Sequence, residues 1–383
     1  MDLAAQAGLY VHVPFCHRKC AYCSFYSFPP QPGDLARYCS AVPRHMRQMA
    51  PLAELQSLSF ASIFFGGGTP SLLPVAALAG LLAELRRSFH FCADEPEITV
   101  EVNPGTIDAA GLEQLRRAGF NRLSIGVQSL DDRALRLLGR IHTASEALAC
   151  ITAARAAGFD NLSFDLMYGL PGQTVDGWRT TLGRVLALAP VHLSMYELTV
   201  EPGTPFADQA GQGLWTLPSE DEVLAMMAAI ETAIGASDLV RYEISNYAVP
   251  GRECRHNVNY WHNGWYAGFG PGAVSAFGGA RRTAVADLAE YCRLIDAGQP
   301  VWQEVERLDR EAAFRETVVM GLRLLAGVSI SALKERFDLE LAAYYGPILE
   351  RLVAQGFLIL GDGRLQLTAR GLPLANRVMA ELV

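Results

Sequence analysis

Short apolar runs rich in Val, Ile, Leu and Phe alternate along the chain with longer stretches whose apolar residues recur at helical spacing. The short runs are typical of buried strands, and the longer stretches, bounded by Gly or Pro, are typical of crossover helices. The predicted strands are Leu9–Val13, Ser62–Phe65, Glu97–Val102, Arg122–Val127, Leu162–Met167 and His192–Leu198. The predicted helices between them include Leu72–Ser88, Ala109–Ala118, Ala144–Ala157 and Asp176–Leu188.

This succession of strand and helix units predicts an α/β fold, because parallel strands need long crossover connections and helices supply them. A closed barrel of this kind has about eight units. The six units found here therefore predict an open, partial (β/α)6 barrel. In such folds the active site lies at the carboxyl ends of the strands and in the loops that follow them.

The chain changes character beyond the last predicted strand, and we expect three segments: a barrel core over 1–235, an extension over 236–300 and a small domain over 301–383. In the small domain, Asp309–Leu325 is a predicted helix. Two runs of alternating apolar and polar residues, Phe357–Leu360 and Arg364–Thr368, lie on either side of Gly361-Asp-Gly363. This arrangement strongly indicates a hairpin. Helices followed by a hairpin predict a winged-helix-like α+β module.

Composition narrows the functional classes. Half of the 383 residues are hydrophobic, 19% are charged and the net charge is −8, which is typical of a globular chain. No apolar run reaches the roughly 18 residues of a membrane span and no signal peptide is recognisable, so a cytoplasmic location is the expectation. From Ser329 onward basic and acidic residues are equal in number, so we expect no nucleic-acid partner for the winged-helix-like module.

Three of the eight cysteines, Cys16, Cys20 and Cys23, lie close together just after the first predicted strand. Thiolates hold 4Fe-4S clusters, and a set of three leaves one iron free for an exchangeable ligand. Zinc is the alternative, with His12 or His17 completing the site. Structural zinc usually takes two paired Cys/His units, and no second pair with that spacing exists in the sequence.

The C-x-x-x-C-x-x-C spacing, preceded by Tyr10-Val-His-Val-Pro-Phe15 and followed by aromatic residues, resembles that of the radical S-adenosylmethionine (SAM) enzymes. The resemblance implies that the three cysteines hold a 4Fe-4S cluster and that the amino and carboxylate groups of SAM chelate the fourth iron. It also implies the radical SAM core fold, which is a partial barrel. In such proteins the cofactors carry the radical chemistry, and the protein supplies binding and orientation.

Polar residues follow the carboxyl ends of the later strands as well. A glycine-rich turn over 66–71 leaves backbone groups free to approach a ligand, and Arg140 and two carboxylates suit a zwitterionic ligand that contains ribose. These stretches resemble the coproporphyrinogen-oxidase-like (HemN-like) branch of the radical SAM proteins. The resemblance assigns to SAM binding Tyr10, Tyr22, Gly67, Gly68, Thr69, Glu101, Gln128, Arg140, Asp165 and Thr199.

Two places distinguish the members of this branch. The oxygen-independent coproporphyrinogen dehydrogenases carry a fourth cysteine two residues after the last cluster cysteine, where this chain has Phe25. The segment His256-Asn257-Val258-Asn259-Tyr260-Trp261 resembles the H-N-x-x-Y-W signature of the HemW heme chaperones. The resemblance makes His256 a candidate ligand to heme iron, Cys254 a second candidate, and the two aromatic residues candidates for packing on a porphyrin.

Two functions follow as hypotheses. The first is a heme chaperone that binds the cluster, SAM and heme and transfers heme to an acceptor protein, with a reductant such as flavodoxin or ferredoxin as a further partner. The alternative is a radical SAM enzyme of the oxygen-independent coproporphyrinogen III oxidase type, or a radical SAM methyltransferase. Phe25 and the segment around His256 favour the chaperone, and the complete SAM set keeps enzymatic activity open.

Overall fold

The computed structural model describes residues 6–92 and 95–383. The strands are β1 (Gln6–Val13), β2 (Ser59–Gly67), β3 (Glu97–Val102), β4 (Arg122–Gln128), β5 (Leu162–Tyr168), β6 (His192–Glu197), β7 (Val240–Arg241), β8 (Asn246–Ala248), β9 (Tyr266–Phe269), β10 (Val274–Phe277), β11 (Ala280–Ala284), β12 (Trp302–Glu306), β13 (Val328–Ser329), β14 (Leu358–Gly361) and β15 (Arg364–Leu367).

The helices are α1 (Asp34–Met49), α2 (Ala53–Gln56), α3 (Val75–Ser88), α4 (Ala109–Ala118), α5 (Asp132–Leu137), α6 (Ala144–Ala156), α7 (Val175–Leu186), α8 (Pro205–Gly211), α9 (Glu220–Ile234), α10 (Arg255–Trp261), α11 (Leu288–Asp296), α12 (Arg310–Gly321), α13 (Ile330–Phe337), α14 (Leu341–Tyr345), α15 (Pro347–Ala354) and α16 (Ala375–Ala380). Short 3-10 turns lie at Pro70–Leu72 and Leu372–Leu374.

The predicted α/β architecture is confirmed. Strands β1 to β6 lie side by side in chain order and are parallel. The sheet stays open, because β1 pairs on its other side with β9 and β6 pairs with the antiparallel β8. All six carboxyl ends therefore meet at one rim, while the apolar outer face of the sheet packs against the crossover helices.

The ends of some elements differ from the predicted ones. Strands β1 and β2 begin earlier than the apolar runs, because backbone pairing between Gln6 and Ser59 continues beyond the apolar residues. Helix α3 begins at Val75 because Pro70–Leu72 form a 3-10 turn and Pro74 precedes the helix. Helix α12 ends at Gly321, earlier than the predicted Leu325.

Beyond β6 the chain returns to the large sheet, and strands from all three predicted segments take part in it. The boundaries at 235/236 and 300/301 stay predictions. A second core packs α12 to α16 around a small sheet with the order β13-β15-β14. Its hairpin turns at Asp362 and Gly363, both in the left-handed region at φ 51° and 71°, as the Asp-Gly signal predicts.

Over the part of the chain that the structure describes, no helix combines the length and the apolar character that crossing a membrane requires. The large sheet instead buries its apolar side chains between the crossover helices and the interior of the partial barrel. Polar residues of the interior, and those on the rim, form the site described below.

Candidate cofactor site at the carboxyl rim of the barrel

The cysteine-bearing loop leaves the carboxyl end of β1 and folds back on itself. Cys16 N donates to Phe28 O (3.0 Å), Phe28 N donates to Pro14 O (2.8 Å), and Cys23 N donates to Cys20 O (3.2 Å). These bonds bring Cys16, Cys20 and Cys23 to the wall of one cavity of about 380 Å³. The loop therefore presents all three sulfurs to the same space at the rim where a parallel sheet positions its active site.

The donor set of this cavity fits a 4Fe-4S cluster. Arg140 Nη1 lies 3.6 Å from Cys20 Sγ, and Thr69 Oγ1 lies 3.5 Å from Cys16 Sγ, so a cation and a hydroxyl face sulfurs that become thiolates on binding iron. Among residues 6–92 and 95–383, no three His, Cys, Asp or Glu side chains converge closely enough to hold one metal ion. A 4Fe-4S cluster needs no such convergence, since each thiolate binds a different iron.

The glycine-rich turn after β2 packs directly against the cysteine loop. Gly67 has φ 109°, and a Cβ atom there would lie 2.5 Å from the His12 ring. A Cβ atom on Gly68 would lie 2.7 Å from Phe15 O, because Gly68 N donates to Val13 O at the end of β1 and Thr69 N donates to Phe15 O, over 2.7 Å each. Only glycine fits at both positions, which holds the turn within reach of a ligand on the cluster.

Buried carboxyl groups from neighbouring strands face the same cavity. Glu101 Oε2 accepts from Gly67 N (3.2 Å), and both Asp165 oxygens accept from Ser124 Oγ (3.1 Å). Burial, and secondly the charge of Asp165, raises the pKa of Glu101 to about 8, while burial also raises the pKa of Asp165. Ionised carboxylates are costly to bury, and a ligand that brings a cation or hydroxyl donors reduces this cost. SAM carries both.

Arg140 and Gln128 complete the upper wall of the cavity. Arg140 Nη2 donates to Asn103 Oδ1 (2.5 Å) and to Gly126 O (3.0 Å), and Arg140 Nε is buried without a partner. Gln128 has φ 62° at a register shift between β4 and β5, a conformation that few residues other than glycine adopt. This irregularity bends the end of β4 at Gln128, which lines the cavity. Bulges beside active sites bend strands in the same way.

Substitution of Glu101 by Gln is expected to change protein stability and SAM affinity in opposite directions. In the folded protein Glu101 keeps its proton up to about pH 8, whereas the unfolded carboxyl loses it above its ordinary pKa of 4.5, so its contribution to stability falls as pH rises between these values. We expect Glu101→Gln to raise the free energy of unfolding of the SAM-free protein at pH 8 by about 1–2 kcal/mol and to weaken SAM binding at least tenfold. Urea unfolding and calorimetric SAM titration measure the two effects.

The exposed Glu113 serves as the matched control, because Glu113→Gln removes a carboxylate that pairs only with Arg117 at the surface. It should change neither quantity. Equal SAM affinity of Glu101→Gln and the natural protein would contradict the assignment of Glu101 to the SAM site.

The other residues assigned to SAM are divided among three spaces. Tyr22, Gly67, Gly68 and Thr69 line the cluster cavity with the groups above. Tyr10 lines a second cavity of about 160 Å³ in the barrel interior, which shares Glu101, Ser124, Asp165 and Tyr196 with the first. Thr199 lies outside both, in a cleft of about 430 Å³ beyond the end of β6. A larger cleft of about 830 Å³ between α7 and α9 has none of the predicted site residues in its wall.

The segment that contains His256 forms α10, which closes the barrel interior near the amino ends of the strands. The His256 side chain is 1% exposed. Its Nδ1 lies 2.9 Å from Ser62 Oγ and its Nε2 lies 2.9 Å from Tyr260 OH, while Phe64 stacks on the ring. Binding of heme iron by this imidazole therefore requires one of these hydrogen bonds to open, and the ligand role of His256 stays a prediction.

Some residues of the site have no counterpart in the sequence-based prediction. Glu97 and Arg122 begin β3 and β4, are 6% and 2% exposed, and lie 4.0 Å apart beneath the interior cavity. Tyr196 borders both cavities and the cleft that contains Thr199. Charged residues at the start of otherwise apolar strands were a visible signal, since burial of a charge needs a partner. Tyr196 carries no comparable signal.

The comparisons with known proteins agree with this geometry. Residues 10–185 match the family described as the radical SAM superfamily, and residues 308–374 match the HemN C-terminal domain. The solved structure of coproporphyrinogen III oxidase (HemN) from Escherichia coli covers 99% of this chain and 90% of its own with a TM-score of 0.84 and 27% identity. The fold and the cysteine-lined cavity thus define a radical SAM protein, a class that implies a 4Fe-4S cluster and SAM.

Relatives of nearly the same length give the narrower assignment. The heme chaperone HemW of Bacillus subtilis is 34% identical over 96% of this chain and 97% of its own. HemW of Lactococcus lactis is 30% identical over 98% and 96%, and the mitochondrial radical SAM domain-containing protein 1 of Mus musculus is 34% identical over 99% and 88%. The chain belongs to the HemW heme chaperone family.

Proposed function

We propose that this protein is a heme chaperone that binds heme and transfers it to an acceptor protein, with a 4Fe-4S cluster and SAM at the carboxyl rim of its barrel. The observation that carries the proposal is the 34% identity to a HemW heme chaperone over nearly both full lengths. Phe25 adds support, because it lines the cluster cavity and is 68% exposed at the place where the coproporphyrinogen dehydrogenases carry their fourth cysteine.

The roles of the individual residues follow from their positions. Cys16, Cys20 and Cys23 would hold the cluster, and the Gly67–Gly68 turn would place backbone groups beside the SAM amino group. Glu101 and Asp165 would bind the cationic and hydroxyl groups of SAM. A reduced cluster with SAM bound supplies the electron for radical chemistry. The electron donor, a flavodoxin or ferredoxin, the heme acceptor and the cytoplasmic location stay predictions from the sequence.

Oxidation of coproporphyrinogen III is the second candidate function. It is favoured by the TM-score of 0.84 with HemN and by the eight predicted SAM-binding residues, out of ten, that line the cluster cavity. Protein reconstituted with iron and sulfide without oxygen distinguishes the two. We expect heme titration to give a Soret band, and the bound heme to be transferred to an apo-acceptor. Addition of reductant, SAM and coproporphyrinogen III should give no protoporphyrinogen IX. Porphyrinogen conversion without stable heme binding would overturn the chaperone.

His256→Ala tests the candidate iron ligand. If His256 binds heme iron, the variant should lose the Soret shift that heme shows on binding to the natural protein, while its iron and sulfide content stays unchanged. Tyr260→Phe is the matched control, because it removes the hydrogen bond to His256 Nε2 and keeps the imidazole. An unchanged Soret spectrum in His256→Ala would assign the iron ligand to another residue.

A further inference from the structure

The cleft beyond the end of β6 lies between the barrel and the last segment of the C-terminal module. Its volume of about 430 Å³ falls in the range of small-molecule sites. One wall comes from Met195, Tyr196 and Met227, and the opposite wall comes from 372–377, where the 3-10 turn leads into α16. Guanidinium groups enter the cleft from three different parts of the chain, at Arg241, Arg323 and Arg377.

Two of these three arginines form no salt bridge. Arg241 Nη1 is bonded to Glu231 Oε1 (2.8 Å), but none of the salt bridges among residues 6–92 and 95–383 involves Arg323 or Arg377. The Nε of Arg323 is buried without any hydrogen-bond partner. Glu197 is the carboxylate of the cleft wall, and burial raises its pKa. Burial raises the pKa of Glu243, which does not line the cleft, and the charges of Arg323 and Arg241 oppose that shift. The lining itself carries three arginines against one carboxylate, Glu197.

The chemistry of these groups selects carboxylates joined to an apolar body. A guanidinium binds a carboxylate through two parallel hydrogen bonds, and a buried donor without a partner gains most from such a bond. Met195 is 3% exposed, whereas Tyr196 and Leu374 are 41% and 39% exposed, so the walls offer a thioether, an aromatic ring and an aliphatic side chain. Such walls pack on a flat apolar ring system.

The cleft is also connected to the segment around His256. The guanidinium of Arg323 lies 4.3 Å from the ring centroid of Trp261, the last residue of α10. Stacking on an indole restricts the orientation of a guanidinium and stabilises its charge. Trp261 thus directs Arg323 into the cleft without lining the cleft itself.

We propose that this cleft binds the two propionate groups of heme, through Arg323 and Arg377, with the porphyrin ring between Tyr196 and the 372–377 segment. The inference rests on the proposed heme-chaperone function and adds a binding site for the carboxylates that is distinct from the iron ligand. The site is open on one side, since Arg377 is exposed, which leaves an edge of the porphyrin accessible to an acceptor protein.

The test uses three porphyrins and the full-length protein. Heme has iron and carboxylates, protoporphyrin IX has only the carboxylates, and protoporphyrin IX dimethyl ester has neither. We expect Arg323→Gln and Arg377→Gln each to weaken binding of heme and of protoporphyrin IX about tenfold or more, in line with loss of a charged hydrogen bond. Binding of the dimethyl ester, weak already, should stay unchanged. Absorbance and fluorescence titrations measure these affinities.

Controls separate the possible failures. Arg310→Gln, at the exposed start of α12, should leave every affinity unchanged, and His256→Ala should leave that for protoporphyrin IX unchanged. Absence of heme binding by the natural protein would refute the proposed function itself. Heme binding that both arginine variants retain, or equal affinity for protoporphyrin IX and its dimethyl ester, would overturn the cleft assignment alone. Arg377 is exposed, so its variant folds even where Arg323→Gln is unstable.

Discussion

Replacement of Cys20 by Ser is expected to abolish the iron–sulfur cluster. Cys20 provides one of three sulfurs in the cavity wall. With only two thiolates, two irons of the cluster have no cysteine ligand, and the cluster is no longer held. Iron content after anaerobic reconstitution should fall from about four atoms per chain to below one. The visible absorption that arises from charge transfer between thiolate sulfur and iron should be lost with it. Colorimetric iron and sulfide assays measure the change.

Cys39→Ser provides the matched comparison, because Cys39 is a half-buried free cysteine of α1 outside the loop. It should retain full iron content. Equal iron content in the two variants would show that the metal is bound elsewhere and would remove the basis for a radical SAM site in this cavity.

Replacement of Glu97 by Ala is expected to give the largest loss of stability. The Glu97 carboxylate lies 4.0 Å from the buried Arg122 and accepts from the backbone N–H groups of Arg255 (3.2 Å) and His256 (3.3 Å). Its removal takes from the buried guanidinium the carboxylate with which it forms its salt bridge, and leaves the start of α10 without an acceptor. We expect a loss of about 3–5 kcal/mol in the free energy of unfolding, measured by urea denaturation.

Two further variants define what is lost. Glu97→Gln keeps an oxygen acceptor for α10 and removes only the charge, so its loss should be smaller than that of Glu97→Ala. Glu113→Ala, which breaks an exposed pair with Arg117, should cost less than about 1 kcal/mol. A loss of that small size for Glu97→Ala would mean that neither the buried charge nor the capping of α10 depends on Glu97.

The local parts of this molecule were predictable because their signals are local. Burial on both faces makes β3 and β4 short runs rich in Val, Ile and Leu, and the parallel arrangement then places Glu101 and Gln128 at one rim. The Asp362-Gly363 pair defines its hairpin through backbone preferences of two residues. These features need no knowledge of distant parts of the chain.

The position of α10 was not predictable in this way. The residue before the helix, Cys254, makes no side-chain cap, and the acceptor for the first N–H groups is Glu97 from a distant strand. No local pattern links these two places. The burial of His256 follows from this long-range contact, and so does the approach of Trp261 to Arg323. The resemblance assigned Thr199 to SAM; Thr199 lies in the cleft that 372–377 also line, and its role stays a prediction.

Tyr196 borders the cluster cavity, the barrel interior and the arginine-lined cleft at once. One side chain cannot adjust its position in one of these spaces without changing the walls of the other two. If SAM moves this ring and thereby alters heme affinity, thermodynamic linkage requires heme to alter SAM affinity by the same factor. Loading of the carrier and occupancy of its radical site would then regulate each other through a single phenol.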